Sequence, residues 1–459
     1  MKFPRIFYRP LIGLFFLSSL SCYTPSPLKV ISISFKELQR KILKTSDWLF
    51  LVYIAADNDL DYFACRNLEE MKLIGSNENV TIIVQLDRYG ANEHTKRIYI
   101  TKEAIYQMNS NDISSKEKLN SGSAQTLIDF FDWATSHFAA KKILLSLWNH
   151  GSGILDSIRS KTTNASELFT FNPANHMLEL DRSIGFLEIM GEKPLPKDHR
   201  GVCFSDTYGS YLTNQKLDYA LKSIVEKRPN KKKIDIIAFD ACLMSMVEVG
   251  GLIAPYADYM VGSQEVELGT GWPYHLVLAP FLEKSFSPEE FSKHITQAYK
   301  HGYSPITKDF TQSAIKLEKI TLLEENIDAV STLLLEMLCH QREYSVRKVI
   351  KASRSRQICT CFAEPSYIDL HHFYTNLIQM SSFILLAPGK ESLVKELSAL
   401  INEGFEIIEK TVVANVVGKN LQKAKGLSVY FPIRYIDSSY SKTPFACNTQ
   451  WPNLLSALL

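Results

Sequence analysis

Several familiar active-site patterns are missing from this chain of 459 residues. None of its 20 glycines stands four residues from another, so no Gly-x-Ser-x-Gly turn can present a serine nucleophile. The Gly-x-Gly-x-x-Gly and phosphate-loop spacings are missing too, which removes the usual nucleotide cradles. None of the 11 histidines lies four residues from another, so there is no His-Glu-x-x-His zinc helix. His371 and His372 are adjacent and point to different faces, a weak metal signal. Cys359-Thr360-Cys361 lacks the second cysteine pair of a structural zinc site. Net charge is only +2, without a basic patch, which argues against nucleic acid as a partner. There are no repeats and no low-complexity tract.

What is present is a folded, globular composition, 46% hydrophobic and 22% charged. The length is too great for one ordinary domain and suits two. At the N-terminus, Lys2, Arg5 and Arg9 precede a short apolar stretch, Leu11 to Leu17, and small residues leading to Cys22. This reads as a bacterial export signal. The stretch is too short to span a bilayer, which takes ~20 residues. Ser21-Cys22 resembles the end of a lipoprotein signal, which would acylate Cys22 and anchor the chain to the cell envelope. Ser19 stands where that motif usually has leucine. The expected organisation is a signal over 1–22 and a tether over 23–45. A domain over 46–285 and a mainly helical one over 286–459, closed by a returning strand, follow. Export permits disulfides, but the eight cysteines do not resemble a dense framework.

Two stretches carry the chemistry. In Ile234-Asp235-Ile236-Ile237-Ala238-Phe239, five of six residues are apolar, the signature of a strand buried on both faces. It ends at Asp240, and Cys242 follows. Ile143 to Trp148 is a second such strand, followed by Asn149-His150-Gly151. Earlier strands, Leu49 to Ala55 and Val80 to Leu86, alternate with helical patterns from Leu60 and Ser123. That order predicts an α/β fold with a mostly parallel sheet. Ala56-Asp57-Asn58-Asp59 reads as a polar turn and helix cap. Residues 154–200 are irregular and rich in basic side chains.

Open α/β sheets place their chemistry at the carboxyl ends of strands. If the two strands are parallel neighbours, Cys242 and His150 meet on one rim. A thiolate attacks a carbonyl, and histidine supplies the base and later protonates the leaving amine. A helix opening after Cys242 would favour the thiolate through its dipole. The N–H groups of Gly151 and Cys242 are the expected oxyanion hole.

Trp148-Asn149-His150-Gly151-Ser152-Gly153 and Asp240-Ala241-Cys242-Leu243-Met244 resemble the two active-site motifs of the clostripain-like cysteine peptidases, of the caspase-like clan. Further stretches that resemble the family run along the chain. They are Val52 to Leu60, Ser205-Asp206-Thr207 with Tyr211-Leu212-Thr213, Gly271 to Tyr274, Ile368-Asp369-Leu370 and Gly426 to Pro432. The resemblance implies a caspase-like sheet flanked by helices and a His150–Cys242 dyad. It also implies an endopeptidase cutting after arginine, then lysine, in peptide or protein substrates. Asp240 would line the pocket for the basic side chain. Thr270 stands where relatives have a second acid, and Glu265 and Glu267 are nearby substitutes. Self-cleavage between the two strands is implied as well, with Arg159 and Lys161 nearest the histidine. Calcium dependence occurs in the family, although no compact acidic loop here is assignable to it. Two other readings stay open: a catalytically silent surface lipoprotein using the fold as a binding scaffold, and another thiol hydrolase or transpeptidase.

Overall fold

The computed structural model describes residues 29–34, 37, 45–90, 92–109, 117–156, 168–182, 202–339, 343–385 and 392–459. Cys22, Arg159 and Lys161 lie outside the described residues. Ten strands form one central sheet. In chain order they are β1 (Val30–Ser34), β2 (Ser46–Ala56), β3 (Val80–Arg88), β4 (Lys96–Ile100) and β5 (Ile105–Asn109). Then come β6 (Ala140–Trp148), β7 (Ile234–Asp240), β8 (Ala257–Gly262), β9 (Thr311–Lys316) and β10 (Val412–Val417). Across the sheet the order is β1-β5-β4-β3-β2-β6-β7-β8-β9-β10.

The middle strands β3, β2, β6, β7 and β8 all run parallel. β4 is antiparallel to both β3 and β5, and β9 and β10 extend the other side antiparallel. Every residue of β7 is buried, as its unbroken apolar sequence requires. In β2, Trp48 and Phe50 pack on Phe291 of one layer, while Tyr53 packs on Phe130 of the other. This is the period of two expected of a strand. Helices Asp61–Ile74, Tyr274–Leu278 and Pro288–Tyr303 cover the first face. Ala124–His137, Asn214–Lys227 and Val247–Ile253 cover the second. Helix Ile320–Leu338 packs on the last of these and carries most of the remaining helices. Pro288 opens its helix behind a capping box, in which Ser287 and Glu290 satisfy each other's backbone N–H.

Two local expectations are revised. Val30–Ser34, expected within the tether over 23–45, is β1 and pairs with β5 in the central sheet. Ser428–Tyr430 pairs with Tyr367–Asp369 in a separate two-stranded sheet, rather than returning to the main one. The strands that do return are β9 and β10. β10 follows helix Ser392–Thr411 without a break. No helix among the described residues is long and apolar enough to cross a membrane.

Leu145 sits fully buried at the centre of β6. Leu145→Ala should destabilise the protein by about 2–5 kcal/mol. A lower urea midpoint with an unchanged slope of unfolding would register this.

Candidate active site

β6 and β7 are paired with Trp148 opposite Asp240. Both strands therefore end at one level of the sheet. The Asn149 N–H donates to the Asp240 carbonyl at 3.2 Å and fastens the two exits together. His150 and Cys242 each lie just beyond, and both line one small pocket. Asp240, Glu267, Leu60 and Gly271 complete much of its wall.

Gly151 makes the close approach possible. A Cβ there would lie 2.4 Å from the Cys242 carbonyl oxygen, nearer than real side chains come. The Cys242 sulfur is buried and receives the Glu267 N–H at 3.2 Å, with the Gly151 N–H also directed at it. Burial pushes the thiol up to about 12. The Glu267 and Glu265 carboxylates raise it further, while the two N–H groups oppose the rise. Burial thus favours the protonated thiol over the thiolate. No helix begins at the cysteine, contrary to expectation. Leu243 instead turns the chain with φ 65°, and helix Val247–Ile253 starts only afterwards. A leucine in that region stores strain on the order of 1–3 kcal/mol.

His150 is buried, with Nε2 donating to Asp59 Oδ1 at 2.8 Å. Its ring meets Phe204 edge-on at 6.3 Å. The Asn149 side chain accepts from the Phe204 N–H at 2.9 Å and donates to the Ala55 carbonyl. Asp57 accepts from Ser205 Oγ at 2.6 Å and Thr207 N–H at 2.9 Å, and pairs with Lys118 at 3.0 Å. The expected cap cluster thus serves other ends. Helix Asp61–Ile74 has Leu60 as its cap residue and no side-chain cap bond. Asp59 and Asn149 were missed as site residues. A signal existed, since three polar residues follow the end of a central strand, on the rim where chemistry is expected.

Asp240 lies at the buried side of the pocket. Its carboxylate accepts from the Trp272 N–H at 3.1 Å and from the Tyr274 hydroxyl at 2.9 Å. Gly271 has φ 64°, and a Cβ there would come within 3.0 Å of Asp240 Oδ2. Burial raises Asp240 to about 7, and the Trp272, Tyr274 and Glu267 hydrogen bonds only partly offset this. Neither Glu267 oxygen receives a well-aligned donor, although Trp272 and Gln312 lie near. Burial and the Asp240 charge hold Glu267 well above the carboxylate range. With Asp240 beside it, Glu267 is the harder of the two buried acids to ionise.

Glu265 is not brought to the pocket. Its side chain accepts from the Val266 and Ala363 N–H groups at 2.9 and 2.7 Å, and pairs with Arg182 at 2.8 Å. Arg182 also pairs with Asp309 at 3.2 Å. Gln264 donates to Asp369 at 3.0 Å and accepts from the Gly426 N–H at 2.9 Å. The loop carrying Glu267 is thus tied down from below. Thr270 bonds to Tyr303 at 3.1 Å. Among the described residues no group of three or more His, Cys, Asp or Glu side chains could hold a metal ion. The described cysteines are all free thiols.

The parallel sheet, its flanking helices and the thiol–imidazole pocket define a caspase-like α/β protein. The sequence profile of the Clostripain family matches residues 52–180 and 189–456. The chain belongs to the clostripain family of peptidases. It is 24% identical over 302 residues to clostripain from Hathewaya histolytica. That alignment covers 60% of this chain and about half of the relative's length (50%). Two crystal structures show the same fold. One is a secreted C11 cysteine protease from Bacteroides thetaiotaomicron bound to an irreversible peptide inhibitor. It has a TM-score of 0.54 and 20% identity over 90% of this chain and 99% of that one. The other is an inactive zymogen C11 protease from Parabacteroides distasonis, with a TM-score of 0.58 and 19% identity over 89% and 99%.

Gly151→Ala should force the histidine loop away from Cys242. Overpacking of this kind costs about 1–3 kcal/mol. A lower melting temperature, with faster iodoacetamide labelling at Cys242, is the expected pair of readouts.

Proposed function

We propose that the protein is a cysteine endopeptidase that cuts after arginine, and less readily after lysine. The observation that carries this is one pocket lined by Cys242, His150 and two buried carboxyls. The Cys242 proton passes to His150, and sulfur attacks the peptide carbonyl carbon. The tetrahedral oxyanion is met by the N–H groups of Gly151 and Cys242. His150 then protonates the leaving amine, and water hydrolyses the thioester. Asp240, with Glu267 beside it, receives the basic side chain. A guanidinium there makes charge-assisted bonds to the ionised Asp240. The N-terminal sequence supports export and acylation at Cys22, and Arg159 or Lys161 are the sites for self-cleavage.

Fluorogenic peptides ending in arginine, lysine, alanine or aspartate, run beside Cys242→Ala, test the reading. Turnover after arginine and lysine that vanishes in the variant is expected. No turnover of any peptide, even after tryptic nicking between residues 154 and 200, would favour the silent scaffold.

The pocket also makes a pH prediction. A buried carboxyl raised to about 7 is neutral below that pH and charged above it. An arginine-ended peptide should therefore bind Cys242→Ala more tightly at pH 8 than at pH 5.5, by about tenfold. Isothermal titration at both pH values measures it; equal affinities would remove Asp240 from the pocket's role.

A further inference from the structure

We propose that Asp59 is the positioning residue of His150. Its carboxylate holds the proton on Nε2 and leaves Nδ1 as the nitrogen that exchanges a proton with Cys242. The proposal rests on the peptidase reading above.

The geometry is specific. Nε2 and Asp59 Oδ1 are 2.8 Å apart, the length of a charge-assisted bond. The His150 side chain is 1% exposed and that of Asp59 17%, so the pair is largely removed from water. A carboxylate only accepts, so the nitrogen facing it carries the hydrogen. Three neighbouring parallel strands deliver the groups. Asp59 follows β2, His150 follows β6 and Cys242 follows β7.

The turn that carries Asp59 is fixed on both sides. The Asn58 amide donates to the Ala55 and Phe204 carbonyls at 3.0 and 2.9 Å, and its oxygen accepts from the Leu60 N–H at 3.0 Å. Asp57 is occupied by Ser205, Thr207 and Lys118. Helix Asp61–Ile74 does not use Asp59 as a cap.

The charge has a chemical use. When the Cys242 S–H bond breaks, its proton goes to Nδ1 and the ring becomes a cation. The pocket's Asp240 is engaged elsewhere, by the Trp272 N–H and the Tyr274 hydroxyl. Lys118 is engaged by Asp57 and Asp87. Asp59 is thus the carboxylate in direct contact with the ring, and it stabilises the imidazolium until Nδ1–H is given to the leaving amine.

Asp59→Asn keeps an acceptor and loses the charge; Asp59→Ala loses both. With an arginine-ended fluorogenic peptide, kcat should fall about tenfold in the first and about a hundredfold in the second, while KM stays within about twofold. The pH profile of kcat should be displaced in both, because the charge beside the ring is lost. Iodoacetamide labelling of Cys242, followed by peptide mass spectrometry across pH, gives a second readout that needs no turnover. A displaced labelling profile in the variants supports the proposal even if no peptide is cut, an outcome that would sink only the peptidase reading. Matching circular dichroism melts exclude a folding defect. A kcat within threefold of the parent in Asp59→Ala, with both pH profiles unmoved, overturns the role.

Discussion

The register between β2, β6 and β7 is the constraint on which the site depends. Parallel neighbours whose ends fall level put the residues after them within reach of one another. Here Trp148 stands opposite both Ile54 and Asp240, so three exits open onto a single rim. Side chains alternate along a strand, so a shift of one residue would turn each of them to the other face. The layers on both sides hold the register, because bulky residues such as Trp48, Phe50 and Tyr53 fit only one alternation. Packing far from the sulfur thus determines what the sulfur can meet.

Burial then sets the chemistry. Water is largely excluded from the thiol and from both pocket carboxyls. In such surroundings the neutral forms prevail until an opposite charge arrives. The same low polarity that favours the protonated thiol makes a cationic guest welcome beside Asp240. The backbone supports this through unusual conformations, Leu243 at φ 65° and Gly271 at φ 64°. Strain of this sort persists where the surrounding fold over-determines it.

Much of this was legible in the chain. Parallel strands covered on both faces are continuous apolar runs, so Ile143 to Trp148 and Ile234 to Phe239 stood out. The residues after them could be placed on a rim before any contact was known. The rest depended on paths that local pattern does not record. A polar cluster after a strand suits a helix cap as well as it suits a histidine partner, and Asp59 was read as the former. Glu265 and Glu267 are two apart in a loop, and only the loop's course sends Glu267 to the pocket and Glu265 to Arg182.

The position of β6 beside β7 has a topological consequence. The chain between them is long, yet the strands it joins are hydrogen-bonded along most of their length. A single backbone break after Arg182 and before Val202 would therefore yield two polypeptides that stay interlocked. Each fragment would keep strands of the common sheet. The hairpin Phe169–Asn172 and Met177–Leu180 would remain moored by Arg182 to Glu265 and Asp309, which belong to the other fragment. Integrity of the folded body is thus uncoupled from integrity of the covalent chain.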